Sequence, residues 1–177
     1  MATTESAALR LPFRYRWVYA AKFLCGELKG KGNLEGPVQP GSYSTAINVH
    51  NPHTQPVAIL KKAVLLYDDR HPELAIERPT PPARSDQPVI VELGPDWGLE
   101  IDCQDIRNVL LQGGPAGEPP PPAPVFIKGW VVVETFFDVA LDVVAVYTSE
   151  AGGTAAKPVT PSLAIDRVVG NRVLLFP

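Results

Sequence analysis

An antiparallel, mainly β sandwich of about seven or eight strands, immunoglobulin-like or jelly-roll in type, is the fold that the sequence predicts. Three observations carry this. Residues 13–25 alternate at a period of two, the mark of a half-buried strand. Residues 125–148 hold two dense runs of β-branched and aromatic side chains, Val125–Phe137 and Leu141–Thr148, with a short break at Asp138. The 20 prolines concentrate between such runs, where they oppose long helices. Strands alternating with helices would have pointed to an α/β fold; a closed barrel is the alternative.

In chain order, residues 1–12 are small and polar without periodicity, and read as a flexible arm ahead of a single domain over 13–177. In the first strand Phe13, Tyr15, Trp17, Tyr19, Ala21, Phe23 and Cys25 face one way, bringing five aromatic rings to the core side. Glycines and prolines make 26–41 a loop. Tyr43, Thr45, Ile47 and Val49 alternate in a second strand, Asn51–Pro56 is a turn, and Val57–Tyr67 is a third strand, so 43–67 is expected to form a hairpin. Proline-rich loops are expected at 68–88 and 113–124, the second with extended polyproline geometry over Pro119–Pro122. A fourth strand is expected over Pro88–Leu93.

One short helix is predicted near 103–111. Asp102 is its N-cap, Asp105 sits in its first turn, Gly113 and Gly114 stop it, and Ile106, Val109 and Leu110 make its buried stripe. The two central runs are expected to pair as a hairpin. A further hairpin is expected from Ser162–Val169 and Val173–Phe176, turning at Gly170-Asn171. The segment Ile47-Asn-Val-His-Asn-Pro52 followed by Val57–Leu60 is similar to the strand-turn of sandwich domains in some late-embryogenesis-abundant proteins. That likeness spans fourteen residues and implies a sandwich.

Composition limits the function. Net charge is −3 and no basic tract occurs, so nucleic-acid binding, which rests on cations neutralising phosphates, has no electrostatic basis. Arg14, Arg16 and Lys22 share strand parity and read as a solvated face. No stretch approaches the ~20 apolar residues of a membrane helix, and no leader is apparent, so a soluble cytoplasmic protein is expected. Cys25 and Cys103 form one bridge or none, a choice that their spacing leaves open, and two buried free thiols are the favoured expectation.

The metal candidates are His50, His53 and His71 with Asp68 and Asp69. A strand of about eleven residues spans roughly 35 Å, which puts the two groups at opposite ends, so no metal is expected. No nucleophile elbow or phosphate-cradling loop is present, and neither cysteine has a histidine within a few residues. Of the carboxylates Asp96, Glu100, Asp102 and Asp105, two already serve the helix start and one sits in a turn. No cofactor and no catalytic residue are expected.

The central runs are unusual in carrying apolar residues on both strand faces. Trp130, Val132, Phe136, Val144 and Val146 make the second face apolar, while Glu134 and Asp142 interrupt it. Strands apolar on both faces are usually covered on both. The cover here is the helix and loops, or another subunit. The expectation is therefore a non-catalytic, self-associating structural subunit of a homo-oligomer, shell or fibre. The alternatives are a module binding a sugar or peptide on Trp97, Trp130 and Tyr147, or an enzyme with a convergent Cys/His site.

Overall fold

The computed structural model describes residues 15–28, 40–68, 89–110, 126–151 and 161–174. The N-terminal arm, the loop expected at 113–124 and, apart from Asp68, the loop expected at 68–88, with Asp69 and His71, lie outside these residues. The fold is mainly β and antiparallel. Its strands are β1 (Tyr15–Leu28), β2 (Gly41–His50), β3 (Val57–Asp68), β4 (Val89–Leu93), β5 (Gly98–Ile101), β6 (Phe126–Thr135), β7 (Asp142–Ala151), β8 (Ser162–Arg167) and β9 (Asn171–Leu174). One helical segment, α1, begins over Cys103–Asp105 and widens to a π-helical turn over Ile106–Leu110.

The strand periods are legible in burial. On β1, Tyr19, Ala21, Phe23 and Cys25 are buried, whereas Ala20 and Lys22 are exposed. On β2, Thr45, Ile47 and Val49 alternate inward in the same way. Asp102 caps α1 as expected: its carboxylate accepts from the N–H groups of Gln104 and Asp105, both at 2.8 Å. Ile106 and Leu110 are buried, but Val109 is 47% exposed, so the buried stripe is narrower than expected. The wider π turn rotates position 109 off the stripe that a regular helix would give it. Strand β5 was not expected; it is four residues long and follows a turn that the sequence shows more strongly.

Strand pairing overturns the three expected hairpins. β2 pairs with β7 and β5, while β3 pairs with β6 and β4, so 43–67 is not a hairpin. β6 pairs with β1 and β3, and β7 with β2 and β8, so the two central runs never touch as a ladder. β8 pairs with β7 and β9 with β1, which removes the C-terminal hairpin. A period of two shows that a segment is a strand; it carries no information on which strand lies beside it.

The connected order is β4-β3-β6-β1-β2-β7-β8, with β5 on β2 and β9 on β1. The β1–β2 link is short, Gly26–Leu28 against Gly41–Tyr43, against nine paired positions between β1 and β6. Where β1 and β2 part, the buried Thr45 hydroxyl replaces the missing ladder: it accepts from Leu24 N–H at 3.0 Å and donates to the Leu24 carbonyl at 3.1 Å. One hydrophobic cluster takes Phe23 from β1, Ile59 from β3 and Val131 from β6 together with Ile47 from β2, Val143 from β7 and Ile106 from α1.

The cysteines are not free thiols. Cys25 and Cys103 form a disulfide with Cα atoms 5.6 Å apart, joining β1 to the start of α1. Their 78-residue separation hid the pairing, because only the folded backbone brings the two Cβ vectors together.

Two further ties hold the connections. Asn51, fully buried, donates through its amide to the carbonyls of Gln55, Leu93 and Gly94, and its side-chain oxygen accepts from His53 N–H. This one side chain fixes the β2–β3 turn against the β4–β5 turn, where Asp96 takes a left-handed φ of 60°. The Tyr19 hydroxyl accepts from the N–H of Leu141 at 2.6 Å, holding the start of β7 to β1.

Burial raises the Tyr19 phenol pKa, the Leu141 hydrogen bond opposes this, and the nearby Asp142 charge adds to the rise. A raised pKa means that the fold prefers the neutral phenol. Its contribution is complete below the unfolded value near 10 and is lost as pH rises through the higher folded value. Tyr19→Phe is expected to cost about 1–2 kcal/mol at neutral pH, because Leu141 N–H loses its acceptor. The variant should also lose less stability than wild type above pH 10. Urea titrations at pH 7 and across pH 9.5–11.5 check both; an equal alkaline slope would contradict the assignment.

Candidate interface surfaces

The five candidate interface residues do not form one face. Because β6 and β7 are not neighbours, Trp130 and Val132 lie apart from Val144 and Val146. Residues directly opposite each other in an antiparallel ladder point to the same side. On the first surface, β6 brings Trp130 beside Lys22 of β1 and Val64 of β3, and Val132 beside Ala20 and Lys62. The next row is Val18, Glu134, Leu60 and Ile90, crossing from β1 through β6 and β3 to β4. Trp130 is 37% exposed and Ile90 63%, and Phe136, just past the end of β6, is 42% exposed.

Glu134 sits in the middle of this apolar row and is nevertheless buried. It survives there because two cations from flanking strands close on it. Arg16 contacts one carboxylate oxygen, and Lys62 Nζ lies 2.8 Å from the other. A buried carboxylate without such partners would carry a large desolvation cost. Arg16 and Lys62 thus compensate the carboxylate, and the same face also carries the exposed Lys22 beside Trp130.

On the second surface, β7 places Val146 beside Ala46 of β2 and Ile165 of β8, and Val144 beside Asn48 and Arg167. Leu163 follows beside Thr148. Asp142, the other unexpected carboxylate, pairs with Arg167 at 3.3 Å at the rim of this surface.

The remaining candidates are held in structural contacts. His50 Nε2 lies 2.9 Å from Asp96 and its Nδ1 3.7 Å from Asp142, tying β2 to the β4–β5 turn and to β7. His53 Nε2 donates to the Ala140 carbonyl at 2.6 Å. The two imidazoles thus turn to different partners, and Asp68 belongs to the far end of β3. Among the described residues, no group of three or more His, Cys, Asp or Glu is arranged to hold a metal ion. The disulfide occupies both sulfurs, so neither cysteine offers a thiolate.

Nor do the aromatic candidates meet in a groove. Tyr147 packs against the core, Trp130 points away from it, and Trp97, 62% exposed, belongs to the β4–β5 turn. Asp138 pairs with Arg172, whose guanidinium lies 3.9 Å over the Tyr15 ring, and accepts from Trp17 Nε1 at 3.1 Å. The Arg172 hydrogen bond holds the Asp138 carboxyl below the usual range. This cluster fastens β9 to β1 and to the β6–β7 connection. Among the described residues, no helix is long and apolar enough to cross a membrane.

No protein-family model matches the chain, and no curated protein matches it. A solved structure described as the crystal structure of Thermotoga maritima 1070 is similar over 90% of this chain and 96% of its own, with 12% sequence identity and a TM-score of 0.37.

Proposed function

We propose that this chain is a non-catalytic, self-associating β-sandwich that serves as a structural subunit of a homo-oligomer, with 13–177 as one domain. In the sandwich, β4-β3-β6-β1-β9 form one layer and β5-β2-β7-β8 the other, joined where β1 and β2 pair over three positions. The shared core supports this, since Phe23 and Val131 pack in one cluster with Ile47 and Val143, all outside the three positions where β1 and β2 pair. The observation that carries self-association is the outer face of β6. Trp130, Val132, Val64 and Ile90 lie there around a carboxylate paired with Arg16 and Lys62 of its own chain, with the exposed Lys22 beside Trp130. Such a face gains by burial against another surface.

The disulfide supports an oxidising compartment, which weighs against the cytoplasmic location expected from the sequence. The disulfide also removes the thiol on which a Cys/His enzyme would depend. The binding-module reading loses support from the divergence of Trp97, Trp130 and Tyr147.

Light scattering at micromolar concentration tests the proposal. Wild type is expected above the monomer mass and to hold it through moderate salt, since apolar burial is not screened. Val132→Asp, which replaces an apolar side chain at the centre of the face with a carboxylate beside Lys62, is expected to lower the mass while leaving the far-UV circular dichroism unchanged. A clean wild-type monomer at high concentration would sink the subunit reading.

A further inference from the structure

We propose that β8 is a self-pairing edge, joined to β8 of a second copy by an antiparallel ladder on a two-fold axis through Ala164. This names a contact for the self-association proposed above and rests on that reading. All six residues of Ser162–Arg167 are exposed, with Leu163 at 63% and Ile165 at 68%. One edge of β8 is paired with β7 from Val144 to Ser149. On its other edge, no strand pairs among the described residues, so a row of backbone N–H and C=O groups is open. Of the usual edge protections, β8 has charge at its end, in Asp166 and Arg167, and lacks the others. The six residues contain no proline, glycine or lysine, and the β7–β8 register runs without a bulge.

The strand's own sequence argues for a second copy as occupant. A two-fold axis that sets two edges antiparallel in one continuous sheet is perpendicular to that sheet. Residues of like parity therefore face each other. Centred on Ala164, the pairing sets Leu163 against Ile165 twice and Ser162 against Asp166 twice. The apolar pairs extend the Val144 and Val146 surface across both molecules, and each carboxylate meets a hydroxyl. Moving the axis to Ile165 sets Leu163 against Arg167, and moving it to Asp166 sets two carboxylates together. Moving it to Leu163 sets Pro161, which has no N–H to give, against Ile165. Arg167 is already engaged by Asp142 of its own chain, and in the Ala164 register it falls opposite Pro161 at the two ends of the ladder, leaving the central pairs free of charge against apolar side chains.

Crosslinking and mass test the contact in the full chain. The native cysteines are bridged, so Ala164→Cys supplies a single free thiol. Facing its own copy, it is expected to give a covalent dimer on mild oxidation. In the same register, Ser162→Cys thiols are separated by roughly 13 Å along the strands and are expected to stay unlinked. Leu163→Lys with Ile165→Lys is expected to lower the light-scattering mass at least twofold with unchanged circular dichroism and melting temperature, both positions being exposed. Equal crosslinking at 162 and 164, or an unchanged mass in the lysine variant, would overturn the proposal. If Val132→Asp alone lowers the mass, self-association stands and the edge contact fails. A wild-type monomer overturns both and leaves the edge to a strand of a different partner.

Discussion

Replacing Cys25 and Cys103 together with alanine is expected to cost about 2–5 kcal/mol of folding stability, the span seen when native bridges are removed. Loop length places this chain towards the upper part. A closed loop of nearly 80 residues restricts the unfolded ensemble by roughly 4.5 kcal/mol in the chain-entropy model. The bridge also has a local role. It anchors α1 on β1 beside Thr45, whose N–H points at Cys103 Sγ from 3.3 Å, close to where β1 and β2 part. Arg107 of α1 reinforces the same contact by donating to the Cys25 carbonyl at 2.9 Å. Urea unfolding of wild type with and without reductant, beside the double-alanine variant, measures the effect. The melting temperature should fall by about 10 °C, since each kcal/mol moves a chain of this size by roughly 2–4 °C. A midpoint unaffected by reductant would show that the bridge is not formed in solution.

That result also bears on what the sequence could reveal. The elements themselves were legible, because burial repeats locally: Tyr19, Ala21, Phe23 and Cys25 follow one another at a spacing of two in both sequence and structure. Asp102 could be read as a cap for the same reason, its partners being two and three residues away. What failed was the pairing of distant segments. The hairpin over 43–67 looked sound because Asn51–Gln55 does turn the chain. Yet Asn51 spends its amide on the Leu93 and Gly94 carbonyls, and β3 goes to β6 instead of back along β2. The disulfide is the same failure at 78 residues. The candidate interface inherits the error: its residues were correctly singled out as apolar on the second face, but the false hairpin placed β6 and β7 side by side. Glu134 was visible as an interruption, whereas its partners Arg16 and Lys62, on two other strands, were not.

Adding one methyl group at Gly129 is expected to destabilise the fold by about 1–3 kcal/mol, with the outcome at the upper end. Gly129 lies mid-strand in β6 between Phe23 of β1 and Leu65 of β3, next to the register shift between Leu65 and Tyr67. A Cβ there would stand 2.1 Å from the Val64 carbonyl oxygen and 2.7 Å from the edge of the Phe23 ring. Neither obstacle yields easily. Phe23 is fully buried in the main cluster, and the carbonyl belongs to the stretch of β3 that runs beside β6, Val64 lying opposite Trp130. Relief requires the β3–β6 ladder to open or the ring to leave its well, and either change loses packing or backbone hydrogen bonds. Gly98→Ala provides the control in the same fold. Its Cβ would meet only the Val49 carbonyl, at 3.8 Å, so that variant should be neutral or slightly stabilising, through a less flexible unfolded chain. Combining Gly129→Ala with Phe23→Leu separates the two contacts. A smaller side chain removes the ring edge and leaves the carbonyl, so the pair should lose less than the sum of the single losses while remaining less stable than wild type. Chemical denaturation of wild type and the four variants gives these differences directly. A Gly129→Ala variant as stable as Gly98→Ala would mean that β6 does not pass this close to β3.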